Sequence, residues 1–579
     1  MFNSKAKTFS TPSGLTGTGF DIVNQRVNNT GTGADQLLLP IGHPDNPFAD
    51  ARARPRFIAG SMPRTADLET TVTRLLTGIK GTVAGWDYDT ALLYAESKTD
   101  KVQTGYIRQS ALKTAVGNNS FRIGEAFGLN TPAVLDAVYP RLSNSATTKL
   151  TSVDFKATRS LMELPGGPMG IAVGGELRRE EADSQPTPFT NINDIAGLGY
   201  ASASGKRNVS ALYAELALPV MKTLEFQLAL RSDHYSDAGT STTPKVGFKF
   251  TPSQVIAVRG TYAEGFRAPG FAESGNSAVA AFTNISNDPI RCPVTKSAVD
   301  CGTQSVGAIT VGNASIQPET AKSYSLGLVI EPIKNTSASF DLWRIVRKGE
   351  IVGSDPGTVI QNPGQFPAAQ IVRGESTSDF PTLAGPILLV KAPYINAGTT
   401  QTSGIDVDLR TRFDLKGNGT LNLGATITQM FEFTRTQNGI RQEFVGTHGD
   451  VNLSGNGGTP RTRAALTAGW ERGPYLVATT LNYVSGIDNI NERGGECLDV
   501  NPVTSVPYAN CRVASFTTLD LFTKWKISKK WEITGSIANL LDRMSPLDVQ
   551  TYGRINYNPS LHQSGAVGRY FTIASRYTF

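Results

Sequence analysis

The stretch that decides the fold runs from residue 212 to residue 233, Leu-Tyr-Ala-Glu-Leu-Ala-Leu-Pro-Val-Met-Lys-Thr-Leu-Glu-Phe-Gln-Leu-Ala-Leu-Arg-Ser-Asp. In its first half Leu212, Ala214, Leu216 and Leu218 share one face and Tyr213, Glu215 and Ala217 the other. After a break at Pro219 to Lys222, Phe226, Leu228 and Leu230 oppose Glu225, Gln227, Arg231 and Asp233. Side chains that alternate in this way belong to an extended strand with one apolar and one polar face. Two such strands joined by a few residues make an antiparallel hairpin.

The pattern recurs along the chain. Val246, Phe248 and Phe250 oppose Lys245 and Lys249, and Ile405, Val407 and Leu409 oppose Asp406, Asp408, Arg410 and Arg412. Short turns are expected at Val83 to Gly85, Leu164 to Gly167, Pro219 to Lys222, Pro252 to Gln254, Pro332 to Asn335, Asp414 to Asn418, Arg472 to Pro474 and Ile527 to Lys529. Between them lie longer connections: Thr99 to Lys149, Glu181 to Gly205, Tyr235 to Thr243, Gly265 to Glu319, Lys348 to Gln401, Arg435 to Thr459, Gly486 to Arg512 and Asp542 to Gly565. Strands that reverse direction each time gather all short turns at one end and all long loops at the other. That segregation is the signature of an outer-membrane barrel, with short periplasmic turns and long extracellular loops. Sixteen hairpin strands, a last strand from Ala566 to Phe579 and a weaker first candidate from Arg52 to Gly60 make seventeen or eighteen.

Composition agrees with this all-β, antiparallel reading. Charged residues are 18% of the 579, below the roughly 25% of soluble domains, and no apolar run approaches the ~18 residues of a spanning helix. The formal net charge of +6 is scattered rather than blocked, so nucleic acid is not indicated as a partner. Met1 to Gly17 shows no basic segment followed by an apolar one, so no signal peptide is read there. Trp86, Trp470, Trp525 and Trp531 all stand near short turns, where an aromatic girdle would meet one bilayer interface. Two short helices are expected in the first long loop: one from Ala111 to Val116 capped by Ser110, and one opened by Thr131-Pro132 toward Val138.

Four cysteines fall as two close pairs, Cys292 with Cys301 and Cys497 with Cys511, each in a Gly/Asn/Pro-rich stretch. Loop disulfides are the expected state, because a zinc site would need tighter spacing or neighbouring histidines. Enzymatic signatures fail, and no cofactor is indicated. Gly205-Lys206 resembles the end of a phosphate-binding loop, but Tyr200 replaces its first glycine and Arg207 its hydroxyl residue. Asp406 and Asp408 share one strand face and are read as lumen lining, and His448 and His562 as solvated loop residues.

At this point the motifs resemble a family. Gly265-Phe266-Arg267-Ala268-Pro269 is similar to the G-F-R-A-P signature of TonB-dependent outer-membrane receptors, where a rising strand enters a long outer loop. Pro318-Glu319-Thr320 resembles the P-E-T segment that opens the next descending strand, and Asn539-Leu540-Leu541-Asp542 the N-L-F-D segment near the end of the penultimate one. The final strand, with Phe571, Ile573, Tyr577 and terminal Phe579 on one face, looks like the C-terminal signal read by the barrel assembly machinery. The resemblance implies a receptor or transporter in the outer membrane of a Gram-negative bacterium, not an enzyme. It would sit among outer-membrane lipid and bind a scarce or large nutrient (siderophore, carbohydrate or peptide) for TonB-energised uptake. A passive porin-like channel and, further off, a secreted β-rich hydrolase are the alternatives. The family has about 22 strands around a plugged lumen. Residues 1–579 match the barrel, incomplete at the N-terminus, so the plug domain, TonB box and signal peptide are expected to be missing. Contact with the TonB complex would then run only through an absent plug.

Overall fold

In the computed structural model the chain is described from residue 2 to 579, apart from 16–17, 22, 24–25, 30–36, 286, 303, 367–368, 438–439, 448–458, 489–511, 547–565 and 567. One antiparallel wall dominates it. Its strands are β1 (Phe2–Ser10), β2 (Arg64–Val83), β3 (Trp86–Thr104), β4 (Leu142–Leu164), β5 (Gly167–Ser184), β6 (Ala201–Met221), β7 (Leu224–Tyr235), β8 (Gly239–Phe250) and β9 (Ile256–Arg267). They continue as β10 (Glu319–Ile333), β11 (Thr336–Lys348), β12 (Thr399–Asp414), β13 (Thr420–Gln437), β14 (Thr462–Arg472), β15 (Tyr475–Val484), β16 (Phe516–Lys526), β17 (Trp531–Ala538) and β18 (Tyr570–Tyr577). Each pairs with the next in chain order. β1 and β18 have one registered neighbour each among the described residues, and both are exposed along their whole length.

Because the side-chain period is two, a shared register lines up whole faces. Outward rows are apolar: Phe250, Val258, Leu328, Phe340, Val407 and Ile427 are successive cross-strand partners. Nearer the short turns the corresponding row holds Phe413, Leu421, Trp470 and Val477. Such side chains remain exposed in the isolated chain, Leu212 at 72% and Ile573 at 84%, as a lipid-facing band requires. Rings gather at the short-turn end: Tyr475 stacks on Trp525 at 6.2 Å, and the Trp531 Nε1–H donates to Ser575 Oγ at 2.8 Å. The first hairpin turn shows how tightly these ends close. Ala84 at φ 50° and Gly85 at φ 78° lie in the left-handed region, the mirror-image turn whose twist matches paired strands.

All eight short turns fall between the strands expected from sequence, but four readings change. Arg52 to Gly60 is not a wall strand. It makes only isolated bridges, Leu39 to Ala53 and Gly14 to Ile58, because its inward row of Ala53, Pro55, Phe57 and Ala59 covers a local core, and Pro55 has no N–H for a ladder. The additional strand is Phe2–Ser10. The Tyr235 to Thr243 connection shrinks to Ser236–Ala238, since β7 and β8 stay paired up to Tyr235 and Gly239. Ser110 does not cap its helix. Helix α1 (Gln109–Gly117) has Arg108 at its N-cap, and the acceptor for its first turn comes from a distant loop, Asp194, which takes the Ser110 N–H at 2.6 Å and the Ser110 hydroxyl at 2.6 Å. Helix α2 (Pro132–Val138) is opened by Thr131, whose hydroxyl accepts from the Val134 N–H.

A core lies outside the wall. Leu15, Leu37, Leu39, Ala53 and Ala59 of the N-terminal segment pack with Ile107, Leu112, Val116, Phe121, Val138 and Tyr139 of the β3–β4 loop. Arg122 forks onto Asp45 across it, with the Ile123 N–H donating to the same carboxylate at 2.8 Å. The Arg122 guanidinium holds the Asp45 carboxyl below the usual range, against the opposing effect of burial. Burial alone pushes the Tyr139 hydroxyl up to about 12.

Candidate functional site: the outer loop cap

The lumen face of the wall is polar and largely self-paired. Glu176, Arg178, Glu180 and Arg207 form a ladder of ion pairs at 2.6 to 2.7 Å, Arg231 joins Asp233 at 2.8 Å, and Arg259 joins Asp341 at 2.7 Å. Asp406 accepts from Thr428 at 2.6 Å and Asp408 pairs with Arg410 at 2.8 Å, so both serve the wall. Charges that span cross-strand neighbours in this way suit a water-filled or plugged lumen.

Above that lumen two long loops fold together. The β9–β10 loop contributes strand Gln304–Val311 and the β11–β12 loop strand Ile387–Asn396, which run parallel with Gly307 opposite Leu389 and Val311 opposite Pro393. Ile285, Val306, Val359, Ile360, Phe366, Ile387, Val390 and Ala392 form a dry core between them. A parallel pair with its own core is a small folded layer rather than two free loops.

Buried charge ties the same two loops. Asp288 is fully buried and takes both arms of Arg373, at 2.7 and 2.9 Å, and the Ile290 and Arg291 N–H groups donate to its Oδ1. Arg291 in turn pairs with Asp300 at 2.9 Å and donates to the Ala384 carbonyl at 2.9 Å. Burial pushes both carboxyls up, but Arg373 and two backbone donors at Asp288, and Arg291, Thr295 and Ser297 at Asp300, outweigh it and hold them below the ordinary range. Within this layer Cys292 and Cys301 are joined, with Cα atoms 4.8 Å apart. Cys497 and Cys511, like His448 and His562, lie outside the described residues.

The motif residues fall at the seams of the cap. Arg267 and Glu319 are direct cross-strand partners where β9 leaves and β10 re-enters the wall. The Arg267 guanidinium holds Glu319 at 2.7 Å and Glu273 at 2.7 and 3.0 Å, while Glu319 also accepts the Ile351 N–H of the other loop at 2.7 Å. Gly265 and Phe266 end β9, and Phe266 meets Tyr235 edge-on at 5.8 Å. Ala268 and Pro269 leave the ladder, and the Pro269 carbonyl accepts from Arg207 at 2.7 Å. Pro318 stands just before the first residue of β10. At the far seam Asn539 and Asp542 adopt left-handed φ of 53° and 55°, angles that Asn and Asp tolerate better than most residues. Asn539 bonds Arg543 through its side chain and Asp520 through its N–H, and Asp542 accepts the Arg569 N–H at 2.8 Å, tying β17 to the start of β18. Phe571, Tyr577 and Phe579 line the exposed row of β18, with Tyr577 and Phe579 edge-on at 5.2 Å. Sequence reasoning did not single out Glu273, Asp288 or Arg373, because an isolated charge in a Gly/Asn/Pro-rich loop carries no periodic signal.

A polar-lined, lipid-banded β-wall with a folded outer cap defines a class of membrane receptor barrel, and comparison with known proteins specifies it. The family model described as TonB dependent receptor-like, beta-barrel matches residues 6–540. The chain belongs to that family, an outer-membrane family of Gram-negative bacteria whose members are receptors and transporters rather than enzymes. It is 26% identical over 164 residues to the ferric enterobactin receptor PirA of Pseudomonas aeruginosa, covering 27% of this chain and 20% of that protein. Among solved structures, the ferric enterobactin receptor PfeA of Pseudomonas aeruginosa aligns with TM-score 0.56 and 15% identity over 89% of this chain and 62% of that one. The siderophore receptor PirA of Acinetobacter baumannii aligns with TM-score 0.56 and 14% identity over 90% and 62%. These structures share the fold, and the chain spans about six-tenths of their length.

Proposed function

We propose that these residues form the barrel domain of an outer-membrane receptor that captures a scarce metal chelate of the siderophore class at its outer loops for TonB-energised uptake. In this reading a plug domain, from sequence outside residues 1–579, occupies the lumen and carries the contact with TonB. The observation that carries it is the cap: two loops share a parallel strand pair, a dry core and buried ion pairs over a polar lumen. A passive pore has no use for so ordered a lid, whereas a binding surface needs pre-organised loops. The relatives support the ligand class, two being named for ferric enterobactin and one as a siderophore receptor. The test is expression of the complete receptor gene in cells lacking their own siderophore receptors, with ferric enterobactin as probe. Saturable iron uptake that disappears when TonB is removed is the expected result. Uptake that is unsaturable or indifferent to TonB would overturn the proposal in favour of a channel.

A further inference from the structure

The alternation from Arg52 to Ala59 is real although the segment is not a barrel strand, and its outward row has no role in the wall. Arg52, Arg54 and Arg56 are exposed, while Ala53, Pro55 and Ala59 between and beyond them are buried. The segment is held in place: Leu39 and Ala53 exchange two backbone hydrogen bonds of 2.8 and 3.2 Å, Phe57 packs on the core of the β3–β4 loop, and Ile58 bridges Gly14. Three guanidinium groups therefore project from one anchored ridge at a spacing of roughly 7 Å, two residues of extended chain. The neighbouring arginines are engaged, Arg122 by Asp45, Arg108 by Asp194 and Arg64 by the Thr11 carbonyl. Arg52, Arg54 and Arg56 have no ion pair or side-chain hydrogen bond among the described residues, and the acidic residue nearest to them in sequence is the exposed Asp50.

Height above the bilayer narrows the partner. On β2 the lipid-facing residues are Leu75, Ile79 and Val83, whereas β1 pairs with residues 64–72, above that band. On this wall Lys5 meets Glu69 at 3.2 Å and Lys7 meets Asp67 at 3.3 Å, so charge replaces the apolar row. Ile58, just past the last arginine of the ridge, bridges Gly14, four residues beyond the end of β1. From Leu75 to Arg64, at about 3.3 Å per residue and a tilt near 40°, the rise is roughly 25–30 Å. That is the depth of the sugars that cover the outer leaflet rather than of its acyl chains. We propose that Arg52, Arg54 and Arg56 form a docking ridge for phosphate groups on the surface glycan of the surrounding outer-leaflet lipids. Planar guanidinium forks match phosphate oxygens, and adjacent like charges within about one Debye length reinforce one another toward a repeating anion. The inference uses the membrane placement of the barrel but not the transported ligand.

The experiment measures binding of purified, core-phosphorylated lipopolysaccharide to the full chain folded in neutral detergent, with chemically dephosphorylated lipopolysaccharide as control. Heat-modifiable mobility verifies that each variant is folded. The triple variant R52Q/R54Q/R56Q should bind at least about tenfold more weakly, and R52K/R54K/R56K, which restores the charge but not the fork, should recover only part of that loss. Raising salt from about 50 to 300 mM should weaken the native chain more than the glutamine variant. Equal binding by the folded native and glutamine chains, or equal native binding to phosphorylated and dephosphorylated material, would overturn the assignment. So would complete competition by millimolar inorganic phosphate, which would make the ridge a simple anion site.

Discussion

Replacing Asp288 by Asn tests whether buried charge holds the two outer loops together. The substitution keeps the volume but leaves Arg373, whose side chain is 15% exposed, facing an amide where a carboxylate had taken both arms. Removing one partner of a buried pair costs about 3–5 kcal/mol. Arg373 keeps one acceptor, the Gly385 carbonyl at 3.0 Å, and water can reach its rim, so the lower end applies. About 3 kcal/mol corresponds to roughly two orders of magnitude in the opening equilibrium of the cap. Amide hydrogen exchange resolved by segment should therefore show faster exchange at Gly307–Val311 and Leu389–Pro393, with wall strands such as β4 and β5 unchanged. The pH dependence has a definite sign. Asp288 and Asp300 are held below the ordinary carboxyl range by their arginine and backbone partners, against burial. Each therefore contributes stability that is present above the unfolded value near 3.9 and is lost as pH falls through the lower folded value. Cap protection should stay flat from pH 8 to about 5 and fall below about 4, with a shallower acid limb in Asp288→Asn. If exchange in both segments is the same in variant and native chain, the buried pair does not hold the loops and the reasoning fails.

Deleting Phe579, which ends the exposed row of β18, should lower the amount of heat-modifiable barrel recovered from outer membranes, and unchanged recovery would count against an assembly role. Arg267→Lys should weaken the seam, because one ammonium cannot hold Glu273 and Glu319 as the guanidinium does, and the Ile351 amide should exchange faster; equal protection would refute this. Replacing Cys292 and Cys301 by Ser should cost the cap about 2–3 kcal/mol of local constraint, measurable by the same exchange, while non-reducing mass spectrometry should find Cys497 joined to Cys511.

The periodicity of Leu212 to Asp233 and its repeats, with eight short turns, determined the antiparallel wall, its two faces and its orientation, because a strand's facing and a turn's length are local properties of a few neighbouring residues. The aromatic row of the last strand was legible for the same reason. What the tertiary structure decided lies at long separation. Arg267 meets Glu319 across 52 residues and Arg373 meets Asp288 across 85, and no local pattern announces which charge will be buried against which. The same competition explains the exchanged first strand. Arg52 to Ala59 alternates more cleanly than Phe2 to Ser10, yet the β3–β4 loop offered its apolar row a core to cover, while Phe2–Ser10 found an unoccupied edge beside Arg64–Val72. Alternation tells which side chains share a face. Which surface that face meets depends on what the rest of the chain brings to it.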